Sequence, residues 1–129
     1  MTQQDKELLL KDICARLPYG VIILDIASKH YGNFIRIDVS SLTCYYGGAE
    51  DEECQTIYNI KPYLRPMSSM TNEEFKEYHS MLIDIDKTGL MQQKLITKIV
   101  DWCDSKMFDH RSLLPKGLAL EAPEGMYKI

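Results

Sequence analysis

Three features of this 129-residue chain predict an α+β fold. An amphipathic segment opens it, β-branched and alternating stretches run to about residue 60, and apolar spacing then lengthens to helical periods. Strand-like and helix-like patterns are segregated along the chain, as in α+β folds, where wound α/β folds interleave them. The expected plan is an N-terminal helix, a small antiparallel sheet of three or more strands, two helices and an ordered irregular C-terminal tail. Residues 1–129 are read as a single domain, since this length supplies one core and is short for two.

In the first helix Asp5 is the expected cap, with Leu9, Ile13 and Leu17 along the inner side and Leu10 and Cys14 beside them. Lys6, Glu7, Lys11 and Asp12 are expected to cover the solvent side, and Pro18 blocks continuation. Val21, Ile22, Ile23, Leu24 and Ile26 then form a run suited to a strand covered on both faces. After the turn chemistry of SKHYGN, the stretch FIRIDVSSLTCYY predicts a half-buried strand, Ile35, Ile37 and Val39 facing one way and Arg36 and Asp38 the other. GGAEDEE reads as a solvated hairpin tip. CQTIYNI returns as a third strand, completing an antiparallel meander.

The stretch KPYLRPMSSMTNEE, residues 61–74, reads as a rigid joint. Pro62 and Pro66 favour extended backbone at Lys61 and Arg65. Thr71 stands three residues before Glu74, the spacing of a capping box that opens a helix near Asn72. Phe75, Tyr78, Leu82 and Ile83 mark that helix's expected core stripe, and Leu95, Ile99, Trp102 and Cys103 mark the next. Residues 84–95 leave helix and strand-turn both open. The tail carries Phe108, Leu113, Leu114, Leu118 and Leu120 among prolines and glycines, too many apolar side chains for a free end; it is expected to lie against the body.

Three blocks, KELLLKDICARLPYGV, KPYLRPMSSMT and KGLALEAPEGMYK, resemble a group of uncharacterised proteins from Bacteroidales phages, prophages and gut mobile elements. The resemblance touches both ends and the middle of the chain. It implies a phage-related origin and the cytoplasm of a gut bacterium, and brings no activity with it. Members of that group read FDYRGLI before KGLA where this chain reads FDHRSLL, so His110 and Ser112 are not expected to be essential groups of the family.

Catalytic signatures are sparse. Asp109, His110, Arg111 and Ser112 form the best cluster, but near-adjacent residues rarely align as acid, base and nucleophile, and a surface loop or helix end is the expectation. No G-x-S-x-G, G-x-x-x-x-G-K-[ST] or G-x-G-x-x-G occurs. Asp84 with Asp86, and the acids at 50–53, lack the ligand spacing of a metal loop. No metal or cofactor is expected, and the four scattered cysteines are expected as free thiols. The candidate binding residues are Lys61, Arg65, His110, Arg111 and Lys116, with Ser68 and Ser69 beside the first two as an alternative anion site. Tyrosines at 19, 31, 45, 46, 58 and 63 are either packing residues or, flanked by Arg36 or Lys61, a stacking surface.

A formal net charge of -4 argues against general nucleic-acid binding, and the N-terminus lacks a secretory layout and the chain any membrane-length apolar run. Two readings result. One is a small non-enzymatic interaction protein of a phage or mobile element acting on a host protein, with the acids at 50–53 and the tail as contact regions. The other is a nucleotide or small-signal binder, an anti-defence sponge using Arg65, Arg111, Lys116 and sheet tyrosines. An enzyme with His110 as acid–base group ranks third, and a homo-oligomer through a sheet edge or C-terminal helix is compatible with each.

Overall fold

A computed structural model of the chain describes residues 1–48, 50–88 and 93–127, with 85–88 described by backbone alone. Helix α1 spans Gln3–Arg16. Its cap is Thr2, one turn ahead of the expected Asp5: Thr2 Oγ1 accepts from the Asp5 N–H at 3.0 Å, and the Asp5 carboxylate accepts from the Thr2 N–H at 3.4 Å. The Thr-x-x-Asp spacing lets both residues serve one capping box, so the earlier of the two becomes the cap. At the far end Pro18 sits in a 3-10 turn, Leu17–Tyr19, which closes the helix.

Six strands follow: β1 (Ile22–Asp25), β2 (Tyr31–Asp38), β3 (Thr43–Tyr46), β4 (Glu53–Thr56), β5 (Ile60–Leu64) and β6 (Leu120–Glu121). They form one sheet in the order β4-β3-β2-β1-β5-β6, antiparallel except for the β5–β6 pair. The single strand expected across FIRIDVSSLTCYY is two. Asp38 folds the chain back by accepting from the Ser40 N–H and Oγ–H at 3.0 and 2.7 Å, and Leu42 takes a left-handed φ of 53° before β3. A bulge at Ile35 shifts the register between Phe34↔Tyr46 and Arg36↔Tyr45. Phe34 and Ile37 therefore pack inward, while Val39, expected beside them, is 64% exposed.

CQTIYNI is also broken, by a 3-10 turn at Ile57–Asn59 that drops Ile57 into the core. β5 then crosses to the free edge of β1, pairing Ile23 with Pro62, so the simple meander ends at β4. Pro62 is tolerated because β6 pairs with β5 only from Tyr63 onward, which leaves an edge beside the proline. Gly32 and Gly47 allow β2 and β3 to close up at one end: a Cβ on Gly32 would meet the Gly47 Cα at 2.9 Å.

One sheet face is the core. Val21, Ile23, Phe34, Cys44, Tyr46, Ile60 and Leu64 meet Leu9 and Ile13 of α1 and Met107, Leu113 and Leu118 of the tail. The opposite face carries Ile22, Leu24, Tyr31, Asn33, Tyr45, Lys61 and Tyr63, none of them fully buried. The strand at 21–26 is thus completely covered on one face only. Helix α2 spans Asn72–Thr88 and α3 Gln93–Ser105, so within the ambiguous stretch 84–95 residues 84–88 and 93–95 are helical; residues 89–92 lie outside the described residues.

The tail lies on the body, as its apolar content predicts, and adds β6. Ala122 N–H reaches Leu64 O at 2.8 Å, and Tyr127 ends the wrap. Its hydroxyl accepts from Ile22 N–H at 2.9 Å and donates to Tyr63 O at 2.7 Å, standing between β1 and β5 in place of a direct ladder bond. Burial pushes its pKa up to about 12. Tyr127→Phe keeps the packing and leaves both backbone groups unpaired, and is expected to cost about 1–3 kcal/mol in urea unfolding. An unchanged midpoint would show that the hydroxyl is dispensable.

Candidate functional site

Arg65, at the end of β5, is the first candidate residue with fixed geometry. Its guanidinium grips Glu74 through Nη1–Oε2 at 2.9 Å and Nη2–Oε1 at 2.7 Å, donates to Lys106 O at 3.2 Å, and lies 4.3 Å over the Phe108 ring. Glu74 also completes the capping box foreseen in the sequence: Thr71 N–H donates to Oε1 at 2.9 Å, and Glu74 N–H to Thr71 Oγ1 at 3.1 Å. Chiefly through the Arg65 hydrogen bonds, the Glu74 pKa falls to about 2.

This grip sets the rotation of α2. Glu74, Tyr78 and Met81, at i, i+4 and i+7, turn inward, and Tyr78 meets the Trp102 ring edge-on at 5.8 Å. Phe75 and Leu82, one position further on, consequently turn outward, at 60% and 43% exposure. Of the stripe expected to be core, Tyr78 does turn inward, while Phe75, Leu82 and Ile83 face solvent. Phe75 stacks on His79 at 5.8 Å, and Met67, Met70, Phe75, Tyr78, His79 and Leu82 line a shallow apolar concavity of about 260 Å³.

On the other flank of α2 a broader groove of about 1030 Å³ runs to the tail. Arg65 and Lys106 line it, but so do Glu73, Glu74, Glu77, Glu121 and Glu124, so its carboxylates outnumber its cations. Ser69 Oγ–H, read as a possible anion ligand, donates instead to Pro66 O at 2.7 Å.

His110 and Arg111 come together on a carboxylate that sequence reasoning did not single out. Arg111 donates to both Asp104 oxygens, at 2.9 and 3.2 Å, and His110 Nε2 lies 2.8 Å from Asp104 Oδ1. Arg111 also reaches Asp12 Oδ1 at 2.8 Å, and Arg16 clasps Asp12 in two bonds of 3.0 Å while donating to Phe108 O at 2.7 Å. Asp12, Arg16 and Asp104 are buried, so Asp12 does not belong to the solvent side of α1. The i, i+4 spacing of Asp12 and Arg16 was a signal for the pair, but such pairs are usually exposed. Nor is FDHRS a surface loop: Asp109 is buried and accepts from the Leu113 and Leu114 N–H groups at 2.8 and 2.9 Å. Ser112, exposed at φ 62°, makes no hydrogen bond to His110 among the described residues.

Lys61 stands on the open sheet face and Lys116 in an exposed turn, so the five candidate residues do not converge on one pocket. The acids at 50–53 are partly tied down, Glu52 by Arg36 at 2.6 Å and Glu53 by His30 at 2.8 Å. All four cysteines are free. Among the described residues no group of three or more His, Cys, Asp or Glu side chains is placed to hold a metal, and no helix is long and apolar enough to cross a membrane. Comparison with protein families, with characterised proteins and with solved structures gives no match to this chain.

Two outcomes follow from the buried charges. Asp12→Ala strands the Arg16 guanidinium in the interior and is expected to cost about 3–5 kcal/mol, whereas Asp12→Leu with Arg16→Met removes a whole pair and costs much less. Equal losses in the single and double variants would show that the pair is not energetically coupled. The second outcome concerns pH. Burial disfavours the Asp104 charge, yet hydrogen bonds from His110 and Arg111 outweigh it and hold the pKa near 2. Glu74 and Asp104 thus titrate below their ordinary values of 4.5 and 3.8. Their stabilisation is complete above the ordinary values and is lost as pH falls toward 2. Thermal midpoints should drop across that window, with a shallower slope in Glu74→Gln.

Proposed function

We propose that the protein is a non-enzymatic interaction domain of a phage or mobile element, and that it holds a host protein on the outward face of α2. The observation that carries this reading is the apolar concavity around Phe75, His79 and Leu82, backed by Met67 and Met70. A contiguous apolar surface left outside a small domain is typically an interaction site. Methionines suit such a surface, because their unbranched side chains adapt to a partner's shape. The phage origin rests on the resemblance of the three sequence blocks.

The polar chemistry of the chain supports a binding role over a catalytic one. Arg65, His110 and Arg111 are each engaged by a carboxylate. Catalysis by His110 would require a nucleophile or substrate contact that the Asp104 pairing does not supply.

The test is affinity capture from a Bacteroidales host lysate with the natural chain and with a Phe75→Ser, Leu82→Ser variant. Both side chains are exposed, so folding stability should change little. The captured protein should be lost from the variant, central apolar anchors being worth about 2 kcal/mol or more each. Recovery of the same partner by both forms, or of the bait alone, would overturn the reading.

A further inference from the structure

A second surface, independent of α2, lies on the open face of the sheet. Register places Tyr31 of β2 opposite Leu24 of β1, and Leu24 opposite Lys61 of β5, giving a row Tyr31–Leu24–Lys61 across three neighbouring strands. Alternation along the strands puts Ile22, Asn33 and Tyr63 on the same face. Tyr31 is 64% exposed, the highest value for any aromatic side chain among the described residues. Lys61 forms no salt bridge among the described residues. Arg36, by contrast, is committed both to Glu52 and to the Tyr45 ring, 4.2 Å beneath its guanidinium. That arrangement shows a planar group already lying on a tyrosine of this face.

We propose that this row binds a nucleotide, its base stacked on Tyr31 above Leu24 and its phosphate at the Lys61 ammonium. Neighbouring strands are about 4.8 Å apart, so Tyr31 and Lys61 stand about 10 Å apart at the backbone, with long side chains that lean over the ligand between them. Every base offers a π-face to an aromatic ring, which makes stacking tolerant of base identity. A cation beside an aromatic ring, above an aliphatic floor, matches a ligand with one planar part and one anionic part. Of the phosphate ligands expected from sequence for such a binder, Arg65 and Arg111 are paired with Glu74 and Asp104 and Lys116 stands in an exposed turn, whereas Lys61 lies on the same face as the sheet tyrosines.

The same chemistry is offered by a free nucleotide and by a single-stranded nucleic acid, and the experiment separates them. Amide NMR is followed while AMP, adenosine, ribose 5-phosphate or a short single-stranded oligoadenylate is added. AMP at millimolar concentration should shift Leu24, Tyr31 and Lys61 and leave α2 unaffected. Tyr31→Ala should weaken AMP about tenfold, the usual size of a lost base–aromatic stack, while Tyr31→Phe retains binding. Lys61→Met should lower AMP affinity to that of adenosine and leave adenosine unchanged. An oligonucleotide bound much more tightly than AMP, with the same residues perturbed, would assign the site to nucleic acid; equal affinities would assign it to free nucleotide. Absence of shifts at these three residues, or AMP binding unaltered by Tyr31→Ala, would overturn the proposal, and neither result bears on the α2 surface.

Discussion

The Arg65–Glu74 ion pair is the constraint on which the C-terminal half of this protein is arranged. Arg65 directly follows β5, Glu74 lies in the first turn of α2, and the residues that flank them, Lys106 and Phe108, follow α3. Backbone bonds reinforce the same point: Arg65 N–H donates to Met107 O at 2.7 Å, and Asp109 N–H donates to Arg65 O at 2.8 Å. Bidentate geometry fixes orientation as well as distance. Because Glu74 must face Arg65, the helix has one permitted rotation, and that rotation presents Phe75 and Leu82 to solvent. The apolar surface is a consequence of where a charge pair was placed.

A second set of charges meets the first at Phe108, whose carbonyl accepts from Arg16 and whose ring lies beneath Arg65. Asp12, Arg16, Asp104 and Arg111 join α1, α3 and the tail through a closed set of two anions and two cations, with His110 at the rim. Desolvating four charges is costly, and such clusters seldom add stability beyond what apolar packing would give. What they do impose is register, since an apolar core tolerates sliding whereas a misplaced guanidinium loses its partners.

Much of this was legible in the sequence, and the exceptions have physical causes. The Thr71–Glu74 capping box and the docked tail follow from local spacing and from apolar content, both of which a single sequence displays. The division at Leu42 was hidden because a leucine at positive φ contradicts its intrinsic preference, and only the Asp38–Ser40 turn around it enforces the conformation. The Ile35 bulge was hidden because alternation through FIRIDV is intact in the sequence, and the bulge is defined only against β3. Helix α2 was legible as a helix but not in rotation: its apolar stripe and its Glu74-Tyr78-Met81 stripe share Tyr78 and otherwise differ by a residue or two, and Arg65, nine residues before Glu74, decides between them. Asp12 was read as surface because nothing local distinguishes a buried i, i+4 pair from an exposed one.

These placements bear jointly on function. Cations that sequence alone offers as anion ligands are, with the exceptions of Lys61 and Lys116, engaged by carboxylates, so an incoming phosphate would have to compete with a preformed partner. The groove beside Arg65 is dominated by glutamates, which makes that competition harder still. Among the described residues a ligand meets an apolar helix face, suited to a protein side chain, and an aromatic sheet face carrying the Lys61 ammonium, suited to a flat anion. They lie on different elements, the first on α2 and the second on β1, β2 and β5. Loss of one surface by substitution should leave the other intact, so the two proposed binding roles are separable within one fold.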